Sequence, residues 1–133
     1  MTNQDIVNKF FDSYMKRDLD AVKTVMATNV VWYFKGRHKL AGTKNGIDEV
    51  LRFFDTMGGI MGKSKPTIEK LIVAEQDNYL IECQHIKTNR DDGINIDHFA
   101  SVLWTIENGK IVSGRHFFAD PELVDRYFDA VPL

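Results

Sequence analysis

The chain has 133 residues, 44% of them hydrophobic, with 17 Lys and Arg against 19 Asp and Glu and a net charge of −2, which suits one globular domain spanning 1–133. The basic residues are scattered rather than striped, so nucleic acid is not an expected partner, and no apolar run nears the ~20 residues that cross a bilayer, so neither is a membrane. The single cysteine, Cys83, excludes an internal disulfide and a Cys-rich zinc site, and an N-terminus without the basic-then-apolar order of a secretory signal points to the cytoplasm.

Ile6, Val7, Phe10, Phe11, Tyr14 and Met15 recur at helical spacing and predict an amphipathic helix over 3–16, opened by Thr2 and Asp5 as a capping box. Asp18 is placed to cap a second helix over 19–27, with Leu19, Val22 and Met26 as its stripe. Residues 30–34 are β-branched and aromatic and read as a strand that sends Trp32 and Phe34 to one face and Tyr33 to the other. After Gly36 the sequence predicts turns with a short strand near 39–41. Asn45 then caps a helix over 47–57 that carries Ile47, Val50, Leu51 and Phe54 on one side. Gly58, Gly59 and Gly62 are expected to end that helix, leaving Ile60 and Met61 either tucked into the core or at a pocket rim. Strands are predicted over 67–75 and 79–88, followed by a polar turn over 89–93.

Asn108-Gly109, between alternating runs over 95–107 and 110–118, predicts a hairpin with a two-residue type I′ turn. An unbroken ladder from that turn pairs Ser101 with His116 and Phe99 with Phe118, and gathers Asp97, Phe99, Ser101, His116 and Phe118 on one face. A polar minority in an apolar surround is the composition of a small-molecule pocket. The opposite face, with Val102, Trp104, Ile106 and Phe117, then needs its own cover, for which a second copy of the chain joined sheet to sheet is the simplest candidate. Asp120 and Pro121 open a last helix over 121–128. The order of helices and strands argues for an α+β fold: a curved, mainly antiparallel sheet with helices packed on its concave face.

Several segments carry a resemblance. Val30-Val31-Trp32 and the run from Gly36 through Gly42 and Gly46 to Phe53-Phe54, the link Arg17-Asp18-Leu19-Asp20-Ala21, the turn from Glu107 to Val112, and the stretch from Arg115 to Pro121 together resemble the SnoaL-like family of the nuclear transport factor 2-like superfamily. The resemblance implies a cone-shaped, cystatin-like fold shared with ketosteroid isomerases, limonene epoxide hydrolases and polyketide cyclases, with chemistry on inward positions of the long strands. Catalytic members often carry Asp where this chain has His116, and the Arg and Asp of the epoxide hydrolases read here as Cys83 and His85, so epoxide hydrolysis is not expected.

What the resemblance implies for function is cofactor-independent proton transfer on a small hydrophobic carbonyl compound, as in isomerases or aldol-type cyclases. His116 would act as acid and base, His85 or Tyr33 would polarise the substrate oxygen, and Asp97 would orient a histidine. Trp32, Tyr33, Phe34, Cys83, Phe99, Ser101 and Phe118 would line the pocket. The competing readings are that His116 is a core histidine bonded to Ser101 or a tyrosine, that Cys83 is a small buried hydrophobe, and that the domain only binds a ligand or dimerises. A metal held by His85, His116 and a third ligand from Asp97 or Cys83 is not expected. His98 falls on the face opposite His116 and His38 in a glycine-rich turn, both as structural or solvated side chains.

Overall fold

In the computed structural model, which describes residues 1–132, Thr2 and Asp5 form the reciprocal capping box that opens α1 (Asn3–Met15). Asp18 accepts from the Ala21 N–H at the start of α2 (Leu19–Thr24). That helix is shorter than its apolar stripe suggests, because Met26 and Ala27 already belong to β1 (Met26–Phe34), where the Met26 side chain is buried. The short strand β2 (Gly42–Asn45) lies beyond the expected 39–41. Asn45 stands just before α3 (Gly46–Ser64), but its side chain makes no capping hydrogen bond.

The largest departure concerns α3, which runs through Gly58, Gly59 and Gly62 to Ser64. Each glycine costs about 1 kcal/mol relative to alanine in a helix, and burial offsets it: Met57, Gly58, Ile60 and Ser64 are all buried. A side chain at Gly58 would bring its Cβ within 2.8 Å of Arg17 Nε. The glycine thus lets Arg17 lie across the helix and reach Asp55 at 2.9 Å. At its end the Ser64 hydroxyl bonds the Ile60 carbonyl and Tyr127, and Arg90 donates to Ser64 Oγ at 3.1 Å.

The remaining elements are β3 (Thr67–Gln76), β4 (Tyr79–Lys87), β5 (Asp97–Glu107), β6 (Lys110–Phe118) and α4 (Pro121–Ala130). Asp120 accepts from the Leu123 N–H and Pro121 occupies the first turn of α4, as the sequence suggests. The six strands form one sheet in the order β2-β1-β6-β5-β4-β3, antiparallel except for the β1–β6 pair. The turn at Asn108 and Gly109 has φ of 51° and 74°, as a type I′ turn requires.

The β5–β6 ladder is not continuous. Glu107 pairs with Lys110 and Ile106 with Ile111, but Thr105 then pairs with Ser113, leaving Val112 as the extra residue of a bulge. Beyond it every pair is displaced by one: His116 lies opposite Val102 rather than Ser101, and Phe118 opposite Ala100 rather than Phe99. A one-residue slip exchanges faces. His98, Ala100, Val102, Trp104 and Ile106 are therefore the buried, concave side of β5, while Asp97, Phe99, Ser101, Leu103 and Thr105 face outward. Gly114 sits between Trp32 and Trp104 in the ladder, and a Cβ there would lie 2.2 Å from the Trp32 ring. With no side chain in the way, the two indoles meet edge to face at 5.2 Å.

Candidate functional site

The concave face of the sheet, closed over by α1, α3 and α4, encloses a cavity of about 130 Å³. Phe10, Phe11 and Tyr14 reach it from α1, Trp32 and Phe34 from β1, Phe53, Phe54 and Met57 from α3, and Val124 and Phe128 from α4. The sheet adds Gln84, His98, Val102, Trp104, His116 and Phe118. Met15 and Ile68, both exposed, stand at the mouth. No Lys, Arg, Asp or Glu is among the lining side chains.

Within this apolar wall five polar atoms are buried without a protein hydrogen-bond partner: Tyr14 Oη, Trp32 Nε1, His98 Nδ1, Trp104 Nε1 and His116 Nε2. His116 packs against Trp32 and Phe34 with ring centroids 5.7 and 4.9 Å away. Phe118 stacks with His116 at 5.8 Å and with His98 at 5.9 Å, so the three rings are linked through the phenylalanine. Burial pushes the His116 pKa down to about 4, because taking an imidazolium out of water disfavours the charged form. His98 is lowered by the same cause, opposed in part by Asp120 and Asp97. Burial raises the Tyr14 pKa, which keeps its hydroxyl protonated. The site is thus uncharged at neutral pH.

His116, Trp32, Phe34 and Phe118 line this cavity, while the other residues singled out from the sequence lie on the outer side of the sheet. Tyr33 points outward, with the Arg115 guanidinium 3.9 Å from its ring. Cys83, His85, Asp97, Phe99 and Ser101 also face out: Ser101 Oγ donates to Cys83 Sγ at 3.3 Å, and His85 stacks on Phe99 at 4.9 Å. Asp97 does orient a histidine, but it is His85, through a 2.5 Å bond from Nε2 to Oδ1. That bond holds the Asp97 carboxyl below its usual range. Asp97, His85 and Tyr33 cannot serve a ligand held by His116, because the sheet stands between them.

The inward positions of β4 are Glu82 and Gln84, not Cys83 and His85, since Glu82 pairs with inward-facing Val102. Glu82 is buried, with one carboxylate oxygen 2.9 Å from Lys70 Nζ and the other without a protein partner, yet it does not line the cavity. Tyr14, Gln84, His98 and Trp104 do line it, and none was expected there from the sequence. For Trp104 a signal existed: it alternates with Ala100, Val102 and Ile106 on the more apolar side of β5. His38 is buried against Phe34 and Phe128, and its Nδ1 accepts from the Leu40 N–H. Among the described residues no three His, Cys, Asp or Glu side chains form a group able to hold a metal ion, and no helix is long and apolar enough to cross a membrane.

Comparison with known proteins agrees with this architecture. An uncharacterised protein of Mycobacterium tuberculosis is 26% identical over 125 residues, covering 93% of this chain and 94% of its own length. The structure of Bal32a, from a soil-derived mobile gene cassette, superposes with a TM-score of 0.82 at 22% identity over 95% of both chains. A nuclear transport factor 2-like protein of unknown function from Burkholderia pseudomallei gives 0.81 at 22% identity, over 98% of this chain and 100% of that one. The SnoaL-like domain model matches residues 7–114, and with a six-stranded, mostly antiparallel sheet, a helix-covered cavity and that match, the chain belongs to the SnoaL-like family.

Proposed function

We propose that this protein binds a small apolar molecule in the chamber between the concave sheet face and its helices. The observation that carries the reading is a cavity of about 130 Å³ whose wall is almost wholly aromatic and aliphatic and bears no charged side chain. His116 is then part of that wall rather than a strong base. Its conjugate acid has a pKa of about 4 through burial alone, and no carboxylate bonds its ring to raise its basicity. Proton transfer on a carbonyl substrate, the isomerase or cyclase reading, has less support than binding. Filling the chamber tests the proposal. Ala100 lines it, so Ala100→Leu should abolish the shifts that toluene produces in the two tryptophan indole N–H signals of the folded protein. Absence of any saturable shift in the parent protein would overturn the reading.

We further propose that the outer face of the sheet pairs with a second copy of the chain. Ile72, Tyr79, Phe99 and Phe117 share that face and are 60, 52, 57 and 49% exposed. Large side chains grouped in this way are more often covered than left in water.

A further inference from the structure

We infer that Lys70 bars the way into the chamber, and that a ligand enters when its side chain swings off the seam between α1 and β3. The inference rests on the reading of the cavity as a ligand site and adds the residue that controls access to it. Met15 on α1 and Ile68 on β3, 61 and 39% exposed, stand at the mouth. One turn back along α1 from Met15 is Phe11, on the same side of the helix, and two residues on from Ile68 is Lys70, on the same face of the strand. The ladder agrees, since Ile68 pairs with Ile86 and Lys70 with Gln84, both of them lining residues. Phe11 lines the chamber too. The seam is therefore open at Met15 and Ile68 and closed at the next rung, where Lys70 Nζ lies 4.9 Å from the centre of the Phe11 ring.

Glu82 holds the bar in place. Its carboxylate is buried at an inward position of β4, and one oxygen takes the Lys70 ammonium at 2.9 Å. A carboxylate out of water needs a cation, and the face of an aromatic ring attracts the same ammonium, so Lys70 is drawn inward across Phe11 and pins that ring against the chamber. The hold is incomplete. The second Glu82 oxygen has no protein partner, and the Lys70 side chain keeps 40% of its surface in solvent. β3 is the outermost strand on its side of the sheet, and its pairing with β4 slips just after Lys70, where Leu71 is an extra residue. No further strand restrains the lysine from outside. When its four-carbon stem turns to solvent, water reaches the carboxylate along the seam and the Phe11 ring is free to follow, which joins the mouth to the chamber over a second rung. A lysine suits this task because its ammonium is strongly hydrated and its stem flexible, whereas a guanidinium bonds both oxygens of a carboxylate in one plane.

Toluene exchange, read from the tryptophan indole N–H signals of the folded protein, tests the bar in both directions. Lys70→Arg keeps the charge, can bond both Glu82 oxygens and can lie flat on Phe11, so toluene should enter and leave roughly threefold more slowly. Lys70→Met combined with Glu82→Gln removes the ion pair without leaving a buried charge, and both rates should rise roughly tenfold. Lys70 is not among the lining residues, so the dissociation constant should change by less than about threefold in either variant, because a gate that does not touch the bound ligand acts on entry and exit alike. Hydrogen exchange of the β5 amides should match the parent. Unchanged rates in the variants would overturn the proposal, as would a rise accompanied by lost β5 protection, which would trace it to general loosening. Should the double variant not fold, Lys70→Arg decides alone, and exchange as fast as in the parent overturns the bar. In each of these cases toluene still binds and the chamber remains a ligand site. A parent protein that binds no toluene would overturn both readings together.

Discussion

His116 carries the clearest pH signature at the level of single residues. Its folded pKa of about 4 lies below the ~6.5 of an exposed histidine. Above pH 6.5 the imidazole is neutral in both folded and unfolded chains and pH has no leverage on it. Between pH 6.5 and 4 the unfolded chain takes up a proton that the buried ring refuses, so stability falls as pH falls, by up to ~3 kcal/mol for this residue. His98 and His38, also lowered by burial, act in the same direction. His116→Leu removes one of the three contributions while keeping an apolar filling. Urea unfolding at pH 7, 5.5 and 4 should therefore show the variant losing less stability than the parent over this range, the gap widening toward pH 4. Parallel losses would mean that the ring is hydrated or charged in the folded state.

Among the elements, α3 shows how tertiary packing overrides local propensity. Gly62 has open space around its missing side chain, whereas Gly58 faces Arg17. Gly62→Ala should accordingly raise the unfolding free energy by about 0.5–1 kcal/mol in urea. Gly58→Ala should gain less or lose stability, because the new methyl pushes Arg17 from the helix and from Asp55. Equal gains at both positions would mean that Arg17 yields freely. The glycines look like a helix stop in the sequence because propensity carries no knowledge of the burial of Ile60 or of the Ser64, Tyr127 and Arg90 contacts that fasten the end of α3. The capped starts of α1, α2 and α4 and the type I′ turn were legible, because their signals lie within a few residues of one another. The bulge at Val112 was not, since nothing local distinguishes it from a regular alternating strand. Its consequence is large: an unbroken ladder puts Asp97, Ser101 and Phe99 on the face of His116 and sends His98 and Trp104 to the other, whereas the shifted ladder sets the first three on the outer side of the sheet and brings His98 and Trp104 to the cavity with His116. Gly114 between two tryptophans was the feature that a register argument could have used, because only a missing side chain lets both indoles pack over that strand.

At the scale of the whole molecule, the same shift changes which surface is available to a partner. Val102, Trp104 and Ile106 do not form a dimer face, since they are buried beneath the molecule's own helices. The outer face carries Phe99 and Phe117 near its centre, with Tyr79 and Ile72 toward the β3 edge. A two-fold dimer brings the same patch of each subunit together, so any side chain near the axis meets its own copy or a close neighbour. That geometry makes a charge at Phe117 doubly unfavourable: each introduced carboxylate is desolvated and faces another. Phe117 stands across from Ser101 and is about half exposed in the monomer, so Phe117→Glu should cost the single subunit under about 1 kcal/mol. The same change should shift the dimer toward monomer by a hundredfold or more in dissociation constant, about 2.7 kcal/mol. Sedimentation equilibrium reads both: a mass near twice 15.3 kDa for the parent chain and near that of one chain for the variant supports the sheet-to-sheet pair. A monomeric parent would leave the outer face solvated, and a variant that stays dimeric would move the interface away from Phe117.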